Sequence, residues 1–439
     1  MYMSNFRMLI VALCASLCAW GSYAQEPYVL TLEQLFALAD ENSKTIQTEN
    51  AAVLEAQQDV KVAKNALMPD IDISLSASYL GNGYLMDRNF SNGQTIDMPH
   101  LGNNFAVEAT QLLYAGGAVT NSIALAKLKE EMANINREAT RSRVHFMLTG
   151  FYLDLYKLQN ALRVYDRSID LAKVVIQDTK ARNEAGVALQ NDVTRYELQL
   201  KNLELARRRV ANSVEILNYD LVTILGLPLE TQIMPDTTLL EQSLSIHDLT
   251  YWQELAQSEA YAVKQSALAV QMGERGEKLA RSEMIPNIAL FAGNHLDGPI
   301  TIEVPVINSN FNYWYVGIGV SYKLSSLYKA SRTLKKAQLS TDLSRRRLSD
   351  IQEQTNLSVQ ADYTRYIEAF EEVATLEKSV QLANENYSVI ENRYRNDIAL
   401  VTDMLDASNQ LLDAELQLVN ARINVLFNYY KLKNTSGNL

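Results

Sequence analysis

Asp403 and Asp406 stand three residues apart in a long stretch without proline, so a helix would set both carboxylates on one face. Asp403 falls at the start of the last helical stretch, where a carboxylate caps the helix and the dipole favours its charge; Asp192 occupies a comparable place earlier in the chain and reads as a cap. Little else in the sequence could do chemistry. The four histidines, His100, His145, His247 and His295, have no partner at metal-ligand spacing, and His100 and His295 read as residues of two outer loops. There is no phosphate-cradling glycine loop and no G-x-S-x-G elbow. The expectation is therefore no catalytic, cofactor or metal site. Arg207-Arg208-Arg209 and Arg345-Arg346-Arg347 read as salt-bridging on solvated helix faces, and the helix tyrosines as seam packing. A net charge of -11 excludes a nucleic-acid partner.

The elements that would position these residues are written twice. Leu67-Met68-Pro69-Asp70-Ile71 returns as Met284-Ile285-Pro286-Asn287-Ile288, an offset of 286 − 69 = 217. Gly186 to Val193 lines up with Asp397 to Met404 at 403 − 192 = 211, and the lost residues fit a longer loop in the first copy. All eight prolines lie outside 100–227 and 306–439, the two blocks that read as helix. Residues 1–24 read as a secretory signal, with Arg7, an apolar run from Met8 to Trp20 and a Ser22-Tyr23-Ala24 cleavage site. Both cysteines, Cys14 and Cys18, fall within it; Leu17 before Cys18 argues against a lipid anchor. The domain reading is signal 1–24, first repeat 25–227, connector 228–250, second repeat 251–434 and tail 435–439.

Within the first repeat the sequence predicts a helix over Thr31–Ala66, a period-2 strand over Ile71–Tyr79, a loop over Gly81–Asn103, and a second strand around Phe105–Thr110 that Gly116-Gly117 breaks. One helix then fills Ala118–Ala185, at 1.5 Å per residue about 100 Å long. Leu155, Leu158, Leu162, Tyr165, Ile169, Ala172 and Ile176 give it a heptad seam. Gly186 interrupts, and a helix from about Asn191 to Leu225 closes the repeat. The second repeat predicts a helix over Tyr251–Met284, a strand over Ile288–Ala292, a loop over His295–Asn310, a strand over Trp314–Leu324, a long helix over Leu327–Asn396 and a last helix over Thr402–Lys433. Tyr366, Val373, Val380 and Tyr387 repeat the seam.

No run after the signal is apolar enough for a membrane helix; Ala109–Ala126 and Val304–Tyr322 carry no charge but are too polar. The strands are amphipathic, and aromatic residues gather at their ends. Tyr79, Tyr84, Phe291, Trp314 and Tyr315 read as an interfacial girdle, with Phe90, Tyr114, Phe311 and Tyr313 nearby. Four strands cannot close a barrel, and lipid tolerates no open sheet edge, so membrane-spanning strands would have to be pooled; three chains would give twelve. The alternative is a periplasmic coiled-coil scaffold or adaptor whose sheet is soluble.

Taken with Leu30-Thr31-Leu32-Glu33-Gln34-Leu35 at the first helix, the paired prolines and the segment from Arg393 to Ala407, this order resembles the TolC-like outer-membrane efflux channels across essentially the whole mature chain. The resemblance implies an α+β membrane protein: a homotrimer with a 12-stranded β-barrel, four strands per chain, continued by a 12-helix coiled-coil tunnel into the periplasm. It implies a passive duct of a tripartite efflux or type I secretion system, in outer-membrane lipid, docking to a periplasmic adaptor protein and an inner-membrane transporter. It maps the periplasmic aperture onto Asp403 and Asp406, where a trimer would make carboxylate rings that favour cations, and fits Tyr394 to a locking tyrosine. Ala399 stands where the locking arginine belongs. Adaptor docking maps onto the turns at Gly186-Val187 and Asp397-Ile398, where Asp397 replaces the usual glycine. The two copies are thus expected to divide the work: the second forms the constriction, the first keeps the more typical tip.

Overall fold

The computed structural model describes residues 28–236, 247–396 and 398–439. The signal segment, residues 237–246 of the connector and Asp397 lie outside the described residues. In chain order the elements are β1 (Tyr28–Leu30), α1 (Leu32–Asn42), α2 (Lys44–Asn65), β2 (Asp70–Tyr79), β3 (Gly83–Leu85), β4 (Gln94–Ile96), β5 (Leu101–Ala115), α3 (Ala118–Glu184), α4 (Gln190–Leu225), β6 (Ile233–Pro235), α5 (Leu249–Glu259), α6 (Tyr261–Ser282), β7 (Asn287–Gly298), β8 (Phe311–Ser321), α7 (Ser326–Arg395) and α8 (Val401–Thr435). They fall into two compact units: a strand-bearing unit of residues 50–136 and 262–352, and a helical unit of the remainder.

The strand-bearing unit is organised by one antiparallel sheet in the order β2-β5-β7-β8. Alternation and register sort its side chains into two faces. One carries Ile71, Ile73 and Leu75, then Phe105 and Val107, then Leu290 and Leu296, then Trp314, Val316, Ile318 and Val320. Its outer-strand members are open to solvent, with Leu75 79% and Trp314 74% exposed. The other face carries Asp72, Ser74, Ser76, Asn104, Glu108, His295 and Asp297. Both β2 and β8 are edge strands. Gly116, at φ 60, lets the chain leave β5: a Cβ there would sit 2.7 Å from the Ile285 side chain.

Three sequence expectations change in this unit. The first loop contains a small hairpin, β3 with β4, and its last residues, Leu101–Asn103, belong to β5. β7 runs on to Gly298, so His295 is a strand residue opposite Tyr313 rather than a loop residue. The proposed girdle is also split. Tyr79 and Trp314 share the apolar face, whereas Phe291 and Tyr315 lie on the polar one, their rings crossing Gly317 and Gly293 respectively; Tyr84 lies in β3, over Gly93.

The helical unit is held by a core of Leu30, Leu35, Leu148, Leu155, Leu221, Leu225 and Leu426. β1 and β6 pair in parallel over it. The buried Tyr152 hydroxyl ties the pair down, donating to the Leu30 carbonyl at 2.7 Å and accepting from the Asp236 N–H at 2.8 Å; burial pushes its pKa up to about 12. The single helices expected over Thr31–Ala66 and Tyr251–Met284 are each two. Ser43 and Ala260 turn extended (ψ 120 and 126) while their N–H groups still close the preceding turns onto Ala39 and Ala256. Both breaks are buried, and each adjoins a left-handed glycine: Gly226 (φ 67) against Asn42, and Gly437 (φ 78) against Glu259. Close approach of another segment, which local pattern does not encode, bends the chain there.

Beside the first break, Arg141 donates two hydrogen bonds to the Asp40 carboxylate, 2.9 and 2.5 Å, and His145 Nε2 lies 2.8 Å from it. Phe36 stacks on the imidazole at 4.2 Å. Burial raises the Asp40 pKa, but the hydrogen bonds from Arg141 and His145 outweigh it and hold the group below its ordinary value. Burial lowers the His145 pKa.

Candidate functional site: the helical tips

Gly186 follows the end of α3 and Ile398 follows the end of α7, both in the helical unit. Arg182 lies in the last turn of α3, four residues before Gly186. Gly186 takes the left-handed conformation (φ 76), its N–H bonds the Asn183 carbonyl at 2.9 Å, and the Val187 N–H reaches the Arg182 carbonyl at 2.9 Å. This is a Schellman ending, which glycine favours because it has no Cβ to strain. At the other tip Ile398 N–H makes the matching bond to the Arg393 carbonyl, 2.8 Å. Two aliphatic side chains stand exposed at each turn, Val187 and Leu189 at one, Ile398 and Leu400 at the other. Leu189 and Leu400 were not singled out by sequence; each is the N-cap of the next helix, where an apolar side chain caps nothing.

The capping is done from inside the helices. Asp192 Oδ2 accepts from the Leu189 N–H at 3.1 Å, and Asp403 Oδ2 from the Leu400 N–H at 3.0 Å. The capping roles of Asp192 and Asp403 are thus observed. Asp403 and Asp406 are both exposed on α8, on the face adjoining the buried Met404 and Ala407. That polar face continues. Asp406 accepts from Gln410 at 2.8 Å, and Asp413 from Gln417 at 2.7 Å, so positions 403, 406, 410, 413 and 417 form one stripe at alternating steps of three and four. Asp413 was missed because carboxylates are common on solvated faces; the spacing was the available signal.

Tyr394 packs into the interior of the helical unit. It is 6% exposed, inside a cluster with Ile176, Tyr196, Tyr387, Val401, Met404 and Ala407, against which Ala399 also packs. Its hydroxyl lies 3.0 Å from that of Thr179. The Arg182 guanidinium stands 5.1 Å from its ring centroid, bonds Asp178 at 3.0 Å, and donates to the carbonyls of Tyr394 (3.3 Å) and Arg395 (2.9 Å). Arginine therefore does meet this tyrosine, but from α3 rather than from position 399. Sequence alone could not join residues so far apart. Lys180 with Glu197 (2.8 Å) and Gln199 with Asn409 (2.6 Å) complete the lateral ties. Farther along, Arg207 pairs with Asp166, Arg345 with Glu274 and Arg346 with Asp342, as expected of solvated basic runs.

Among the described residues no three His, Cys, Asp or Glu gather as metal ligands, and no helix is long and apolar enough to cross a membrane. The class that emerges is a mostly helical protein with helices of 67 and 70 residues and a small sheet exposing an apolar face.

A family model described as outer membrane efflux protein matches residues 35–227 and 252–438, and the chain belongs to that family. It is 21% identical to the outer membrane protein TolC of Vibrio cholerae, over 96% of this chain and 94% of that one. It is 22% identical to the outer membrane efflux protein BepC of Brucella suis, over 93% and 86%. Among solved structures, CusC superposes with a TM-score of 0.79 at 11% identity, covering 96% of each chain. VceC of Vibrio cholerae superposes with 0.77 at 15% identity, covering 92% of this chain and 96% of its own. The protein is thus a TolC-like efflux channel of the Gram-negative outer membrane, a transport duct and not an enzyme. The family assignment favours the efflux channel over the periplasmic scaffold or adaptor.

Proposed function

We propose that three copies of this chain close a 12-stranded barrel and a 12-helix tunnel, and that the trimer is the outer duct of a tripartite efflux or type I secretion system. One observation carries this reading: a four-stranded sheet with an exposed apolar face and an unpaired strand at each edge. In lipid that sheet is viable only if β2 and β8 pair with other copies. The parallel element order, the matching breaks at Ser43 and Ala260 and the matching glycines support a tandem repeat over 25–227 and 251–434, joined by 228–250, with 435–439 as a tail.

Within that assembly Asp403 and Asp406 line the periplasmic aperture as stacked carboxylate rings, favouring cations. Tyr394 shapes the aperture from behind, by fixing α7 against α3. The exposed Val187, Leu189, Ile398 and Leu400 offer apolar footholds to a periplasmic adaptor, which links the duct to an inner-membrane transporter, and position 397 is assigned the same docking role. Tyr79 and Trp314 anchor the barrel at the lipid interface. Membrane fractionation tests the reading. The protein is expected to resist carbonate extraction and to run as a heat-modifiable trimer. Release by carbonate as a monomer would sink it.

A further inference from the structure

The turn between β8 and α7 has four residues, 322–325, whereas the turn between β5 and α3 has two, Gly116-Gly117. The longer turn lies against a cavity of about 450 Å³ lined by Ser282, Ser321, Lys323, Ser326, Lys329 and Thr333, among others. Ser326 opens α7; it is 7% exposed, and its hydroxyl has no hydrogen-bond partner. A buried hydroxyl left unpaired is unfavourable, and an acceptor in the cavity would relieve it.

The charges around this opening run against helix stability. Residues 321–341 contain Lys323, Lys329, Arg332, Lys335 and Lys336 and no acid. Among the described residues none of the five forms an ion pair. Cations at a helix N-terminus are opposed by the dipole, which favours anions there. The start of α3 shows no such feature: Ala118–Ala126 is uncharged. Glu283 is the one acid lining the cavity, and it is exposed. The site is therefore built for an external anion. Leu324, Leu327 and Tyr328 are exposed beside it, where the apolar face of β8 ends at Val320.

We propose that this cavity binds the phosphate of a membrane phospholipid, with Lys323, Lys329 and the Ser326 hydroxyl on the headgroup and the acyl chains along the apolar face of β8. Polybasic segments next to apolar surface attract anionic lipid in this way. The site rests on the membrane-barrel reading and assigns the end of β8 to the periplasm-facing leaflet.

The test is native mass spectrometry of the detergent-purified full-length protein, titrated with dioleoyl phosphatidylglycerol, dioleoylglycerol or inorganic phosphate. Phosphatidylglycerol is expected to add one molecule per protomer, with dioleoylglycerol failing to bind and inorganic phosphate failing to displace it. Lys323→Gln with Lys329→Gln is expected to weaken binding by about tenfold or more, and Ser326→Ala by a smaller factor. Equal lipid binding by the double variant would overturn the site. Displacement by inorganic phosphate would overturn the lipid assignment in favour of a free-anion site. Planar-bilayer conductance on the same preparations separates the two claims: intact conductance with unchanged lipid binding refutes this inference alone, whereas absent conductance and no oligomer refutes the channel.

Discussion

The two helical tips close with the same hydrogen bond and differ in what they present. Val187 and Ile398 close their turns with the same N–H bond to the carbonyl five residues back, and Asp192 and Asp403 cap the following helices in the same way. Beyond the cap the resemblance ends. α8 continues with Asp406, Gln410, Asp413 and Gln417; α4 carries Arg195, Gln199, Asn202 and Ala206 at the corresponding positions. The cap is a requirement of any helix start, so both copies keep it. The stripe caps nothing and lies on an exposed face, so each copy can vary it without disturbing the cap.

The largest expected effect comes from breaking the tie between the copies. Tyr394→Ala empties a buried aromatic site and is expected to cost about 3–5 kcal/mol, read as a lowered denaturation midpoint. Removing only the hydroxyl separates the tyrosines of the same cluster. Tyr394→Phe is expected to cost about 1 kcal/mol because it loses the Thr179 contact, whereas Tyr196→Phe removes a buried hydroxyl without a partner and is expected to be neutral or stabilising. Equal losses would show that the two hydroxyls are equivalent.

Gly186→Val should cost about 1–2 kcal/mol, since a branched side chain resists the left-handed conformation, and Gly186→Asp should cost less. If Asp and Val cost the same, the left-handed turn at Gly186 does not discriminate between them. The smallest effect is in pH. His145 and Asp40 both titrate below their ordinary values in the folded protein, so the unfolded chain binds more protons as pH falls. Stability is fully present above the unfolded histidine pKa of about 6.5 and declines below it, and further as pH drops through the carboxylate range. His145→Gln is expected to flatten the first part of that decline in melting curves from pH 8 to pH 5.

Much of this was legible in the sequence. The two longest helices came within a residue of their observed ends: Gly116-Gly117 and Gly186 bracket the first, and the seam repeated at an offset of 211 carries the second. What was missed depends on contacts between distant segments. The breaks at Ser43 and Ala260 answer to Gly226 and Gly437. The outer halves of β5 and β7 are held by polar pairs, Asn294 with Asn312 and Asn104 with Asp297, which a search for apolar alternation does not see. The burial of Tyr394 and its union with Arg182 needed the fold. The capping of Asp403 was correctly read, whereas its exposure on a stripe reaching Asp413 was visible only in the spacing.

In the proposed trimer the second copy, through Asp403 and Asp406, sets the ion preference of the duct while the first copy does not. Reversal potentials of single channels across a potassium chloride gradient test it directly. Wild type is expected to prefer cations, Asp403→Ala with Asp406→Ala to lose that preference, and Asp192→Ala to keep it. An unchanged reversal potential in the double variant would contradict the claim and leave Asp403 a cap and Asp406 a solvated surface residue.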